Sequence, residues 1–90
     1  MYYAYILHSK KDGNLYIGFT PNLKNRMIAH NNGNVLSTKN RRPLSLVYYE
    51  SYISQGDARR REIFLKGSMG HSQLKIQLQD SFKTIKYKHK

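Results

Sequence analysis

The sequence predicts a small single α/β domain: a three-stranded sheet, mixed or antiparallel, with flanking helices in the order β-β-α-β-α-α. Three observations carry this prediction. Residues 2–8, 14–20 and 44–52 are short runs rich in aromatic and branched side chains, which favour the pleated, half-buried surface of a sheet. Helical spacing with cap chemistry follows the second and third of these runs. A chain of 90 residues supplies one modest core and no second domain.

The first strand is Tyr-Tyr-Ala-Tyr-Ile-Leu-His at 2–8, and Asp12-Gly13 marks a hairpin into Asn-Leu-Tyr-Ile-Gly-Phe-Thr at 14–20. A turn centred on Asp12-Gly13 sets Tyr5 opposite Thr20 and Leu7 opposite Gly18. Alternation then places Tyr3, Tyr5, Tyr16 and Gly18 on one face. Thr20 is the expected N-cap and Pro21 the first position of a helix with Leu23, Met27 and Ile28 on its apolar side. Asn22, Arg26 and His30 form a separate stripe on that helix, and Gly33 supplies a left-handed stop.

Residues 34–43 read as a polar, basic connection. The third strand follows, with Leu46, Tyr48, Glu50 and Tyr52 on one face and Val47 and Tyr49 on the other. Ser54 to Asp57 carry cap chemistry for a helix from Ala58 to Lys66, which Gly67 closes. Ser68-Met69-Gly70 is a break, and a last helix runs from His71 to about Lys83 on Leu74, Ile76, Leu78 and Phe82. The domain is expected over 1–83. Residues 84–90, with Lys86, Lys88, His89 and Lys90 and no acid, form a basic tail expected to fray.

The composition narrows function. Sixteen Lys and Arg against five Asp and Glu give a net charge of +11, a field that draws polyanions, nucleic acid foremost. A basic protein seated on a larger anionic assembly or a membrane surface is the plainer alternative. No cysteine is present, which excludes disulfides, thiolate zinc sites and cysteine nucleophiles and fits a cytoplasmic protein. No apolar run approaches a membrane span and no signal peptide precedes the first strand. The chain lacks a phosphate-binding loop of the P-loop kind. It also lacks the close carboxylate pair of a two-metal site or a glycosidase.

Few residues remain for chemistry. On a helical wheel Glu62 falls about 40° from Ala58 and about 60° from Leu65, so it points inward. A glutamate so placed needs a base, a hydrogen-bond donor or a metal, and an ordinary pair with one of Arg59, Arg60 or Arg61 satisfies it equally well. One Mg2+ held by a single carboxylate, waters and substrate oxygens is chemically reasonable. Arg26 and His30, one turn apart, suit a phosphate and a proton transfer, or simply a solvated face. The tyrosines serve as core, as sheet decoration or as a stacking surface. Gly18 beside Tyr16 leaves room for a substrate backbone. His8, His71 and His89 have no metal-ligand spacing and read as surface residues.

These residues resemble the GIY-YIG nuclease superfamily. Tyr3-Ala4-Tyr5 resembles its first motif with the glycine and isoleucine replaced, and Tyr16-Ile17-Gly18 matches its second. Arg26, His30 and Glu62 fall on the family's arginine, His-or-Tyr and glutamate positions. The whole chain looks most like small stand-alone bacterial members, relatives of the nuclease domain of the bacterial excision-repair endonuclease.

The resemblance implies a DNA endonuclease of low sequence specificity, dependent on one Mg2+ or Mn2+ ion, with a place in repair or recombination. In that reading Glu62 holds the metal and Arg26 the phosphate. Tyr16 attends the attacking water, His30 takes up the tyrosine's proton, and Tyr5 orients the water or phosphate. Lys24, Lys39, Arg41, Arg42, Arg59 and Lys66 are the expected nucleic-acid contacts. The expected partner is DNA, alone or within a larger repair complex, in the cytoplasm or on a nucleoid.

Two departures stand out. Phe19 occupies a place where many catalytic members carry lysine, and residues 71–82 lack an asparagine found there in some. They imply weak or partner-dependent turnover. A non-catalytic nucleic-acid-binding module on the same scaffold is the alternative. A third reading is an accessory protein whose tail docks on RNA or a ribosome.

Overall fold

A computed structural model describes residues 1–87. Strands β1 (Tyr2–Ser9), β2 (Leu15–Thr20) and β3 (Leu44–Tyr52) form one antiparallel sheet in the order β2-β1-β3. Helix α1 (Leu23–Asn31) follows the hairpin, and α2 (Gln55–Lys66), α3 (Ser68–Gln77) and α4 (Gln79–Thr84) follow β3. The fold class and element order are those the sequence predicts, with the last helix in two pieces.

β1 is central and its residues from Ala4 to Ser9 are all buried, because helices cover both faces of the sheet. One face carries Ile6 and Ile17 against Leu65, Leu74, Leu78 and Phe82 of α2, α3 and α4. The other carries Tyr5 and Leu7 with Leu44, against Leu23 and Met27 of α1. Each apolar side chain on these faces contributes roughly 1.5–3 kcal/mol when fully buried, and α1 brings few of them. Ile28, expected on its apolar side, is exposed.

The hairpin register differs from the predicted one by two residues: Tyr5 pairs with Gly18 and Leu7 with Tyr16. The turn is wider than a two-residue loop because Ser9 supports it from inside. Its Oγ accepts the N–H groups of Lys11 and Asp12, while Asp12 Oδ1 accepts that of Asn14 and Gly13 takes a positive φ of 75°. A shift by an even number keeps every side chain on its face, so Tyr3, Tyr5, Tyr16 and Gly18 still share one.

Other boundaries move for local reasons. Asn22, rather than Thr20, caps α1, its side chain accepting from the Asn25 N–H at 3.1 Å. Thr20 Oγ1 instead accepts the N–H of Asn22 and braces the turn. Gly33, at φ 77°, ends α1 as expected. In β3 a register irregularity opposite Ile6 and Leu7 pairs them with Tyr48 and Leu46. Leu46 is thereby shifted off the Tyr48, Glu50 and Tyr52 face on which alternation had placed it.

Gly70 is not a break but part of α3. A Cβ there would lie 2.1 Å from the Phe64 carbonyl oxygen, so glycine is what lets α3 pack tightly on α2. The helix predicted from His71 onward is interrupted at Leu78, whose ψ of 27° leaves the helical region. Leu74, Leu78 and Phe82 are buried as predicted, whereas Ile76 is 76% exposed; four-residue spacing selects the first three and leaves Ile76 outside the stripe. His8, read as a surface residue, is buried beneath Tyr87. Ile85 and Tyr87 pack against the core, so the predicted tail begins as an ordered extension of α4. Lys88, His89 and Lys90 lie outside the described residues.

Candidate active site

The site forms where α1 crosses the β1–β2 face. Tyr5, wholly buried on the central strand, points its hydroxyl at His30 of α1, 2.8 Å from Nε2. His30 Nδ1 lies 2.7 Å from Thr38 Oγ1, and both residues are buried. Arg26 Nε donates to the Tyr5 oxygen at 3.4 Å. That oxygen accepts from Arg26, so its own proton goes to His30 Nε2. The imidazole is then the neutral tautomer with its proton on Nδ1, donated to Thr38.

The electrostatics agree. Burial, with the nearby Arg26 charge as the second cause, lowers the pKa of His30 from 6.5 to about 4. It is therefore neutral at pH 7. Burial raises the pKa of Tyr5; the Arg26 hydrogen bond opposes this, while Tyr16 and Glu62 add to it. The carboxylate of Glu62 thus acts on the Tyr5 hydroxyl although it stands on α2, covering the opposite face.

Tyr16 of β2 flanks the same group, its ring 5.4 Å from that of His30 and edge-on. Its hydroxyl accepts from Ser37 Oγ at 3.3 Å. Both nitrogens of His30 are engaged by Tyr5 and Thr38, so none faces Tyr16. The expected transfer of the Tyr16 proton to His30 is not what this geometry provides. His30 instead holds Tyr5.

Gly18 also has a different role from the expected one. A Cβ on Gly18 would lie 2.5 Å from both Cζ and Oη of Tyr5. The space that glycine leaves is filled by the tyrosine ring, not by substrate.

Glu62 is buried on the inner side of α2 with Ala58 and Leu65, as the helical wheel predicts. Its partner is Lys66, whose Nζ lies 2.9 Å from Oε2. Arg61 turns away to Glu50, which it meets with two nitrogens at 2.9 and 3.1 Å. Glu50 also accepts from Tyr48 and Tyr52, and Arg60 pairs with Asp57. No group of three or more His, Cys, Asp or Glu able to hold a metal occurs among the described residues. An oxygen donor on a single carboxylate with a side chain 12% exposed fits a hard divalent ion that keeps most of its waters, with Lys66 as the competitor for it.

The expected nucleic-acid contacts divide into two groups. Lys24 and Lys39 are exposed, and Arg59 lies flat on Phe19, 4.2 Å from the ring centroid. Arg41 is held by Asp12 at 2.6 Å and by the Leu15 carbonyl. Arg42 reaches the carbonyls of Lys39 and Asn31, and Lys66 is held by Glu62. The arginine beside Asp12 lowers that acid's pKa from 3.8 to about 2, so Asp12 is fixed in the turn and offers nothing to a metal. Sequence reading missed Ser37 and Thr38, which lie in the segment read as a plain connection and show no periodicity.

A buried phenol–imidazole pair with an arginine hydrogen-bonded to the phenol and a second tyrosine beside it offers one cation suited to an anion. The chain belongs to the GIY-YIG family: the GIY-YIG catalytic domain matches residues 1–76. It is a nuclease family, and the substrate class it implies is nucleic acid. The chain is similar to a UPF0213 protein of Clostridium perfringens, 39% identical over 88 residues that cover 97% of this chain and 94% of the relative. A UPF0213 protein of Staphylococcus saprophyticus is 40% identical over 76 residues, covering 83% and 92%. One of Pediococcus acidilactici is 40% identical over 77 residues, covering 82% and 78%. No solved structure matches the chain. No helix among the described residues is long and apolar enough to cross a membrane.

Proposed function

We propose that this protein is a divalent-metal-dependent DNA endonuclease of low sequence specificity. The observation that carries the reading is the convergence of Tyr5, Tyr16, Arg26 and His30 on one face of the sheet. Arg26 is the anion-binding group, and its guanidinium fork suits a phosphate and the charge that develops on it. Glu62 would hold the Mg2+ or Mn2+ ion, which when bound supplies positive charge at the phosphate. Tyr16, whose hydroxyl accepts from Ser37 and interacts with Arg26 at the rim of the site, positions the attacking water. Tyr5 fixes Arg26 and is itself fixed by His30, which stays neutral and acts as an anchor. Lys24, Lys39 and Arg59 steer the polyanion toward the site.

The Glu62–Lys66 ion pair favours a second reading, a nucleic-acid-binding module that does not cleave. A cleavage assay on branched and single-stranded DNA with Mg2+ or Mn2+ separates the two. The nuclease reading expects nicking by the wild type and its loss, by at least a hundredfold, in Glu62→Gln with DNA binding retained. Wild-type protein that binds these substrates but leaves all of them intact with either metal refutes it.

A further inference from the structure

A cleft of about 530 Å3 opens at the hairpin end of the sheet, lined by His8, Lys10, Ser45, Thr84, Ile85 and Lys86. It is separate from the site above. Tyr5 and His8 lie three residues apart on β1, so their side chains leave opposite faces. His8 packs under Tyr87, on the face covered by α2, α3 and α4. The volume lies within the range of small-ligand pockets, about 300–1,000 Å3.

We propose that this cleft binds a phosphate-bearing ligand of nucleotide size. The lining holds two lysines, a histidine and two hydroxyl groups, and no carboxylate. His8 is 8% exposed, yet among the described residues its ring nitrogens have no hydrogen-bond partner. No wholly buried side-chain nitrogen or oxygen lacks a partner there, so the free nitrogens of His8 open onto solvent through the cleft it lines. A histidine nine-tenths buried, with its polar edge left to an opening flanked by lysines, is a donor awaiting an acceptor.

Lys86 gives independent support. Helix α4 ends with the Tyr87 N–H on the Phe82 carbonyl and the Lys86 N–H on that of Lys83, the paired bonds of a Schellman stop. The residue between them must adopt a left-handed conformation, and Lys86 does so at φ 56°. Glycine is the usual occupant of that position, and another residue is strained there. The stop fixes where the Lys86 side chain leaves the backbone, and with Lys10 in the same lining it offers the cleft two point charges suited to a phosphate. Ile85 is the apolar residue of the lining, against which a base or sugar would pack.

The test is a titration of the labelled full chain at low salt and without divalent metal, followed by NMR at His8 and Ser45. The nuclease reading plays no part in it. The probes are adenosine monophosphate, a short thymidine oligonucleotide, inorganic phosphate and unphosphorylated adenosine. Saturable shifts are expected with at least one nucleotide probe, weaker ones with phosphate, and none with adenosine. A response to the mononucleotide alone assigns the cleft to a free nucleotide; a response to the oligonucleotide assigns it to a nucleic-acid strand.

Lys10→Ala combined with Lys86→Gly should weaken binding at least tenfold. Glycine suits the left-handed position, so this variant keeps its Tm; Lys86→Asn, also tolerant of that conformation, repeats the comparison. No saturable shift with any phosphate-bearing probe overturns the proposal. So does an equal response to adenosine, or undiminished binding in the lysine variants.

Discussion

Gly18→Ala tests how the sheet builds the site. The added Cβ would stand 2.5 Å from Cζ and Oη of Tyr5 and 2.9 Å from Cε1, where carbon contacts prefer roughly 3.5–4.0 Å. The ring must therefore retreat by about 1 Å. It has nowhere easy to go, because Tyr5 is wholly buried and its hydroxyl sits 2.8 Å from His30 Nε2. A retreat of that size carries the hydrogen bond beyond useful length. Overpacking costs about 1–3 kcal/mol and the lost bond about 1 kcal/mol more, so the expected loss is roughly 2–4 kcal/mol. For a domain of this size each kcal/mol lowers Tm by about 4–8 °C.

Urea denaturation, with the slope held constant, measures the loss directly. Tyr5→Leu completes a double-mutant cycle: the shorter side chain leaves room for the alanine methyl. Its cost in the Gly18→Ala background should be smaller than in wild type by at least 1 kcal/mol. Wild-type stability in Gly18→Ala, or strictly additive effects, refutes the claim that glycine here exists for the tyrosine ring.

Two further outcomes follow from the side-chain networks. The pKa of His30 is lower in the folded protein, about 4, than its ordinary 6.5. The unfolded chain therefore binds the proton first, and stability falls as pH drops from about 6.5 toward 4, by up to roughly 3 kcal/mol. Denaturation midpoints at pH 7, 5.5 and 4.5 should show this loss, and His30→Phe should flatten it; an equal slope in both would refute it. Glu50→Leu leaves Arg61 and two tyrosine hydroxyls without their shared acceptor, and should cost about 2–3 kcal/mol. Chemical denaturation checks that figure, and a change below 0.5 kcal/mol would show the cluster to be incidental.

Much of the architecture is legible in the chain because the strands are unambiguous apolar runs and the caps are chemically explicit. The hairpin register was missed by two residues because Ser9, an inconspicuous serine, widens the turn from within. The error was harmless to the site because the pleat repeats every two residues. Gly70 reads as punctuation, but packing against the Phe64 carbonyl overrides that local signal. In the site, Tyr5, Tyr16, Arg26 and His30 lie close together in sequence, and each belongs to a motif that can be read.

Thr38 could not be read in the same way, since a lone hydroxyl that reaches a histidine from a loop leaves no periodic trace. The inward turn of Glu62 follows from the helical wheel. Its choice of Lys66 over three neighbouring arginines follows from four-residue spacing along the helix together with the claim of Glu50 on Arg61.

Helix α1 has a single buried residue, and it is His30. Leu23 and Met27 are only half-buried against the sheet, so the one fully buried anchor of α1 is a polar side chain and the helix is joined to the sheet along a partly polar seam. Seams of this kind open at lower free energy than the core behind them. Arg26 stands on α1 and meets the hydroxyl of Tyr5 on the central strand. A phosphate held by Arg26 would add a tie across this seam, so gripping a substrate would also fasten α1 to the domain.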